Sequence, residues 1–189
     1  MVKVIILFLL IFLTSCEKSG IMTYRVPKQT ISVAQLANKL ANKDLAWIIS
    51  DTWLKQDQTE FRIASYVVPN GVDSTGSGDF SIVKFPGKAG GLLANVNRWR
   101  DQLDLDSLTI TSLADHLVTI DHSFLSITFL ELHRLSFLVN THPFESMYVG
   151  FFMYDNDSYF FKLTGSKALL NDQYDSFVAI LKSIYYENH

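Results

Sequence analysis

MYVGFFMYDNDSYFFKL, residues 147–163, is the stretch that sets the fold of this chain. Apolar and aromatic side chains fill 147–154 and 159–163, and such residues favour the pleated, half-buried surface of a strand. Between them, Asp155-Asn156-Asp157-Ser158 has the composition of a tight turn. We therefore predict two antiparallel strands joined as a hairpin.

The chain before this hairpin contains four more predicted strands. Residues 61–68 (FRIASYVV) and 79–85 (DFSIVKF) alternate in polarity, as strands with one buried face do. The polar, glycine-containing loop 71–79 joins this pair. Apolar segments at 117–121 and 124–132 are predicted as the other two strands.

Apolar residues at helical spacing predict two main helices. The first covers 92–103, LLANVNRWRDQL, and has one apolar and one polar side. Its apolar side consists of Leu92, Leu93, Val96, Trp99 and Leu103, and its polar side of Asn95, Arg98, Asp101 and Gln102. The second is a final amphipathic helix over 172–186, with Tyr174, Phe177, Val178, Leu181 and Ile184 facing inward.

Two shorter helices are also predicted. Residues 32–43 have helical spacing with Ser32 as a possible N-cap, and this helix lies before the core fold. Asp106 and Ser107 are expected to cap another short helix that ends near His116.

The order of these elements predicts an α+β fold, in which an antiparallel sheet is flanked by helices. The chain has 189 residues with 48% hydrophobic content, which suits one domain with a substantial core. We therefore expect a single globular α+β domain over 31–189. The only cysteine, Cys16, leaves no disulfide within the chain, so the core alone must stabilise the domain.

The first fifteen residues, MVKVIILFLLIFLTS, have the layout of a signal peptide. Lys3 supplies the positive start, and the apolar run at 4–13 is shorter than the roughly 20 residues that a membrane span needs. Leu13-Thr14-Ser15-Cys16 then resembles the lipobox of bacterial lipoproteins. The alternative is an ordinary N-terminal membrane helix with a chance cysteine.

The lipobox resemblance implies cleavage before Cys16 and acylation of that cysteine, and two or three acyl chains make a stable membrane anchor. It thus implies a lipoprotein signal peptide over 1–15 and a lipidated tether over 16–30. The expected location is the cell envelope, facing the periplasm. Glu17 stands where an aspartate is often linked to inner-membrane retention, which favours the outer membrane.

Three further segments resemble a group of uncharacterised bacterial exported proteins. Residues 90–103 (GGLLANVNRWRDQL) resemble the group's "GG…NVNRWRGQLGL" signature, and 159–165 (YFFKLTG) its "WFFKLTGP" strand. Trp53 followed by 61–66 (FRIASY) is similar to its "W…MRxASF" segment. The order matches over about 45–186, although Asp101 and Asp104 replace glycines, Ser166 replaces a proline, and 133–145 matches nothing.

This strand and helix order is similar to the wider Mog1/PsbP-like fold, a three-layer sandwich with an antiparallel sheet between helical layers. That resemblance implies no enzyme activity. Its members are mostly small binding or assembly factors.

The candidate site lies at the start of the 92–103 helix. Gly90 and Gly91 permit close backbone approach, and exposed N–H groups at a helix start can hold an anion. The neighbouring donors are Asn95, Asn97, Arg98 and Arg100, and an arginine can bind a carboxylate or phosphate with two hydrogen bonds. The alternative is structural, with the glycines allowing tight packing and the polar side chains fastening loops.

The sequence contains no motif for metal binding, catalysis or nucleotide binding. His116, His122, His133, His142 and His189 lack metal-site spacing, and no catalytic residue or cofactor is predicted. There is no G-x-S-x-G elbow and no Walker ending in the loop 71–78. A net charge of −3 gives no electrostatic footprint for nucleic acid.

These observations favour a lipid-anchored, non-enzymatic binding or assembly module. Its expected partner is an envelope protein or a small anionic ligand. One alternative is a hydrolase-like envelope enzyme with a site near Asn95 and Arg98. Another is a purely structural envelope component. Donors that line an open cleft without internal partners favour a ligand, whereas donors bonded to loop carbonyls favour scaffolding.

Overall fold

The computed structural model describes residues 44–71, 76–134 and 144–187, all of which belong to one compact unit, Ala41–His189. The predicted signal peptide (1–15), tether (16–30) and 32–43 helix lie outside the described residues. Within the described ranges, no helix has the length and apolar character needed to cross a membrane.

Seven strands form one antiparallel sheet; the sequence predicts six of them, and the seventh, Leu54–Lys55, was not predicted. The strands are β1 (Leu45–Ala46), β2 (Leu54–Lys55), β3 (Arg62–Val68), β4 (Gly78–Pro86), β5 (Leu117–Ile120), β6 (Ile127–His133), β7 (Ser146–Tyr154), β8 (Asp157–Gly165) and β9 (Tyr185–Tyr186). The order across the sheet is β2-β3-β4-β8-β7-β6-β5, and the two short strands β1 and β9 pair separately.

Helices cover both faces of this sheet. They are α1 (Leu92–Asp101), α2 (Ile110–Leu113), α3 (Lys167–Asp172) and α4 (Tyr174–Lys182), with a 3₁₀ turn at Ala114–His116. Val96 and Trp99 of α1 pack with Val149 on one face, whereas Phe177 of α4 packs with Phe161 on the other. The α+β class with an antiparallel sheet flanked by helices is therefore confirmed.

The β7–β8 hairpin is continuous from the pair Ser146–Gly165 to the pair Tyr154–Asp157. Its turn has two residues, Asp155 and Asn156, with φ of 49° and 63°. Two consecutive left-handed residues suit the right-handed twist of the paired strands. The predicted four-residue turn was wrong in extent, because Asp157 and Ser158 already belong to β8 and pair with residues of β7 and β4.

The predicted cap of α2 was also wrong. Thr109 is the N-cap and shares a capping box with Ser112. Asp106 instead belongs to the loop after α1, where its carbonyl accepts a hydrogen bond of 2.6 Å from Arg100 Nε. The helix therefore starts two residues later than a cap at Ser107 predicts.

The predicted 172–186 helix was wrong in extent. The chain breaks at Gln173 between α3 and α4, and Gln173 Oε1 accepts a hydrogen bond of 3.0 Å from Trp53 Nε1. After α4, Tyr185 and Tyr186 form β9 instead of a last helical turn. Tyr174, predicted to face inward, is 39% exposed. The residue at this break is therefore also in contact with a distant part of the chain.

Candidate binding cleft

The backbone conformation just before α1 requires two glycines. Gly90 and Gly91 have φ of 85° and 88°, in the region that favours glycine. A Cβ atom at either position would meet nothing within 4 Å, so close packing does not explain them. The pair shapes the turn that leads into α1, with Gly91 as the N-cap residue.

Three of the four polar residues predicted around this turn bind the protein's own backbone. Asn95, predicted on the polar side, is only 3% exposed and donates to Ala89 O at 2.9 Å and Gly91 O at 2.8 Å. Asn97 exchanges two hydrogen bonds, of 3.0 and 2.8 Å, with the backbone of Leu108. Arg100 holds the same loop through its bond to Asp106 O. These bonds fasten the loops at both ends of α1.

Arg98 is placed differently from these three residues. It is exposed in the last turn of α1, and no hydrogen bond or ion pair joins its guanidinium to another residue in the described part of the chain. Its side chain lines a cleft of about 380 Å³ between α1 and the sheet. That volume lies within the range of small-molecule sites.

The cleft exists because the α1 face of the sheet changes character partway across. One row of paired residues crosses this face, and α1 packs over its apolar end, which includes Val149 and Leu130. From β3 to β5 the row runs Ser65, Ser81, Lys162, Val149, Leu130 and Leu117. The cleft lies beside α1 over Lys162 and the neighbouring Val83 and Phe160, whereas Ser65 and Ser81 are buried and do not line it.

Lys162 of β8 lies at the boundary between the two ends of this row. No hydrogen bond or ion pair connects its Nζ to any residue that the structure describes. Burial lowers the pKa of the Lys162 amine below its usual 10.5, and the nearby Arg62 guanidinium lowers it further, while Asp79 acts in the opposite direction. Lys162 is thus a partly buried amine that opens into the cleft.

Arg62 is held firmly beside Lys162. Its guanidinium makes two hydrogen bonds to the Asp79 carboxylate, at 2.8 and 3.0 Å, and donates a third to Ser65 Oγ at 3.1 Å. Arg62 and Lys162 also line an adjoining polar lobe of about 390 Å³, together with Asp79 and Thr164. Among the described residues that line the cleft and this lobe, Asp79 is the only carboxylate. Arg62, Arg98 and Lys162 are the three cations. The cleft is therefore locally cationic although the whole chain carries −3.

Aromatic rings form the other wall of the cleft. Phe61, Phe85, Trp99 and Phe160 line it, and the Trp99 and Phe160 ring centroids are 5.6 Å apart. An apolar wall with a few placed cations is the usual chemistry of a small-ligand site.

Sequence reasoning missed Lys162 and Arg62. The pattern YFFKLTG held a signal, because alternation places Phe160 and Lys162 on the same face of β8. A lysine on the inner face of a central strand is unusual, since charged groups are rarely buried unless they are paired. Arg62 gave no comparable signal.

A second polar group lies on the opposite face of the sheet. His133 contacts Ser146 Oγ through Nδ1, at 2.7 Å, and Glu131 through Nε2. These residue types are those of a nucleophile, a base and an acid, but Ser146 is 0% exposed. Ser146 is therefore closed to a substrate in this structure. The hydrogen bond between His133 of β6 and Ser146 of β7 instead links the two strands.

In the described ranges, no three His, Cys, Asp or Glu side chains lie close enough together to hold a metal ion.

No family model matches the sequence, and no curated protein matches it. Several solved structures are similar at low identity, and two of them serve as examples. Cyanobacterial PsbP (CyanoP) from Synechocystis sp. PCC 6803 aligns with a TM-score of 0.44 and 10% identity, over 77% of this chain and 94% of CyanoP.

A second similar structure is that of a protein from Bacteroides thetaiotaomicron. It aligns with a TM-score of 0.45 and 11% identity over 77% of this chain. The chain spans 46% of the length of that protein.

Proposed function

We propose that this protein is a lipid-anchored module of the cell envelope that binds a small anionic ligand in the cleft beside α1. The residues at the N-terminus support the location, because the signal-like segment ends in a lipobox-like sequence at Cys16. The proposal places the domain on the periplasmic side, at the outer membrane. It also includes membership of the exported group whose signature the 90–103 segment resembles.

Lys162 is the observation that carries the ligand proposal. A charged amine that is partly buried without a partner opposes folding, because desolvation is not repaid by a hydrogen bond or an ion pair. An anion in the cleft would supply that missing partner. Arg98 opens into the same space, and the paired Arg62 strengthens the positive potential there.

Titration with inorganic phosphate tests the ligand proposal. The full lipidated chain in phosphatidylcholine nanodiscs is compared with Lys162→Met by isothermal titration calorimetry and by NMR. We expect phosphate to shift cleft resonances in the native protein and to bind Lys162→Met at least about ten-fold more weakly. Lys182→Met removes a charge from an exposed lysine of α4 and should bind as the native protein does. Equal binding by all three proteins would overturn the proposal.

The anchor is tested separately through Cys16. Cys16→Ser should lose incorporation of an alkyne palmitate analogue and should leave the membrane fraction. Labelling that persists in this variant would contradict lipidation at Cys16.

A further inference from the structure

We propose that the ligand of this cleft is an amphipathic anion, with a phosphate or carboxylate head joined to a flat apolar body. This inference rests on the proposed function and names the ligand class for the same site. The head lies at Lys162 and Arg98, and the body lies against the aromatic wall.

The wall continues outward from the core to the surface. The ring centroids of Phe160 and Phe85 are 6.3 Å apart, and those of Phe85 and Phe61 are 6.5 Å apart with a tilt of 32°. Phe61 ends this series and is 59% exposed at the cleft. An exposed phenyl ring that continues a buried aromatic series offers a surface on which a flat group can stack.

The cations stand next to that wall. Lys162 and Phe160 are two residues apart on one face of β8, which separates them by about 7 Å along the strand. Arg62 pairs across the sheet with Val83, which in turn pairs with Phe160. A ligand with its anionic group at Lys162 can therefore extend its body over Phe160 and Phe85 toward Phe61.

The charge balance favours an anionic head over a neutral one. Asp79 already accepts two hydrogen bonds from Arg62, so this carboxylate is occupied. Lys162 and Arg98 have no such acceptor among the described residues. A neutral apolar molecule would leave both cations unpaired while covering Lys162, and this desolvation weakens its binding.

Three probes separate the head from the body: 1-naphthyl phosphate, inorganic phosphate and 1-naphthol. We expect 1-naphthyl phosphate to bind the full lipidated chain about ten-fold more tightly than either of the others. Phe61→Ala should reduce this preference over phosphate while leaving phosphate affinity unchanged. Tyr185→Ala, which removes an exposed ring from β9, is the matched control and should change neither affinity.

The outcomes distinguish this inference from the proposed function. Phosphate binding that depends on Lys162, without any gain for 1-naphthyl phosphate, overturns the amphipathic ligand and leaves the anion site standing. Binding of neither phosphate compound overturns both. Competition from phosphatidylglycerol in the nanodisc would assign the site to a lipid headgroup and would contradict a free ligand.

Discussion

Two neighbouring rows of residues cross the sheet, one on each face, and they differ sharply. The row facing α3 and α4 is apolar from β3 to β6. The row facing α1 contains the residue next to each of these in sequence and begins with two serines and a lysine. The first row is Ala64, Ile82, Phe161, Gly150 and Phe129, and the second is Ser65, Ser81, Lys162, Val149 and Leu130.

The two faces of the sheet therefore differ in role: the α3–α4 face contributes much of the stability, and the α1 face contains the proposed binding cleft. On the α3–α4 face, Phe177 and Leu181 are fully buried against aromatic and aliphatic side chains, so this face supplies much of the hydrophobic free energy of folding. On the α1 face, the polar end of the row weakens the core by leaving Lys162 without a partner. That loss of stability is understandable if the cleft over Lys162 binds a ligand.

The largest expected effect comes from breaking the apolar face. Phe177→Ala removes a ring whose centroid is 5.8 Å from that of Tyr148 and 6.1 Å from that of Phe80. We expect the free energy of unfolding to fall by about 3–5 kcal/mol, because a fully buried ring leaves a cavity. Urea denaturation measures this loss. Phosphate affinity should stay unchanged while the variant is folded, and a selective loss of affinity would contradict the separation of the two faces.

An intermediate effect is expected from Asn95, on the α1 face. Asn95→Asp replaces a buried amide donor by an acceptor that faces the carbonyls of Ala89 and Gly91. We expect the free energy of unfolding to fall by about 2 kcal/mol, since a buried polar group is left unsatisfied. Thermal denaturation measures the change. A variant with native stability but altered anion binding would show that Asn95 contacts the ligand instead of holding the turn.

The smallest expected effect is the pH dependence that Lys162 produces. Its pKa is lowered in the folded protein by burial and by Arg62, whereas the unfolded chain keeps a value near 10.5. Between the lowered pKa and 10.5 the unfolded chain binds more protons, so Lys162 opposes folding less as pH rises. Denaturation of native and Lys182→Met protein should show this trend equally, and Lys162→Met should lack it. Phosphate affinity should fall over the same pH window, because the neutral amine no longer attracts an anion.

Much of the sheet was predictable because its strands carry local patterns. The alternation in 61–68 and 79–85 and the aromatic content of 147–163 predicted strands to within a few residues. The break at Gln173 was not predictable, because no proline or glycine marks it, and Gln173 contacts Trp53, which lies 120 positions away. Short pairs such as β1 with β9 likewise carry no periodic signal.

The candidate site was predictable only in part. The several hydrogen-bond donors in 95–100 predicted a site there, but the sequence does not distinguish Arg98 from Asn95 and Asn97, which bind loop carbonyls. That distinction depends on where α1 ends above the sheet. Lys162 joins the cleft only because β4 and β8 pair with a particular register, which brings positions far apart in sequence together.

Lys162→Met tests the central claim most directly, because it replaces the unpartnered amine by an apolar side chain of similar length. The claim predicts opposite changes in two quantities measured on one variant at neutral pH. The free energy of unfolding should rise by about 1 kcal/mol, as expected when a binding residue is replaced by a stabilising one. Phosphate affinity should fall at least about ten-fold. A variant that is less stable than the native protein and binds phosphate equally well would contradict the account.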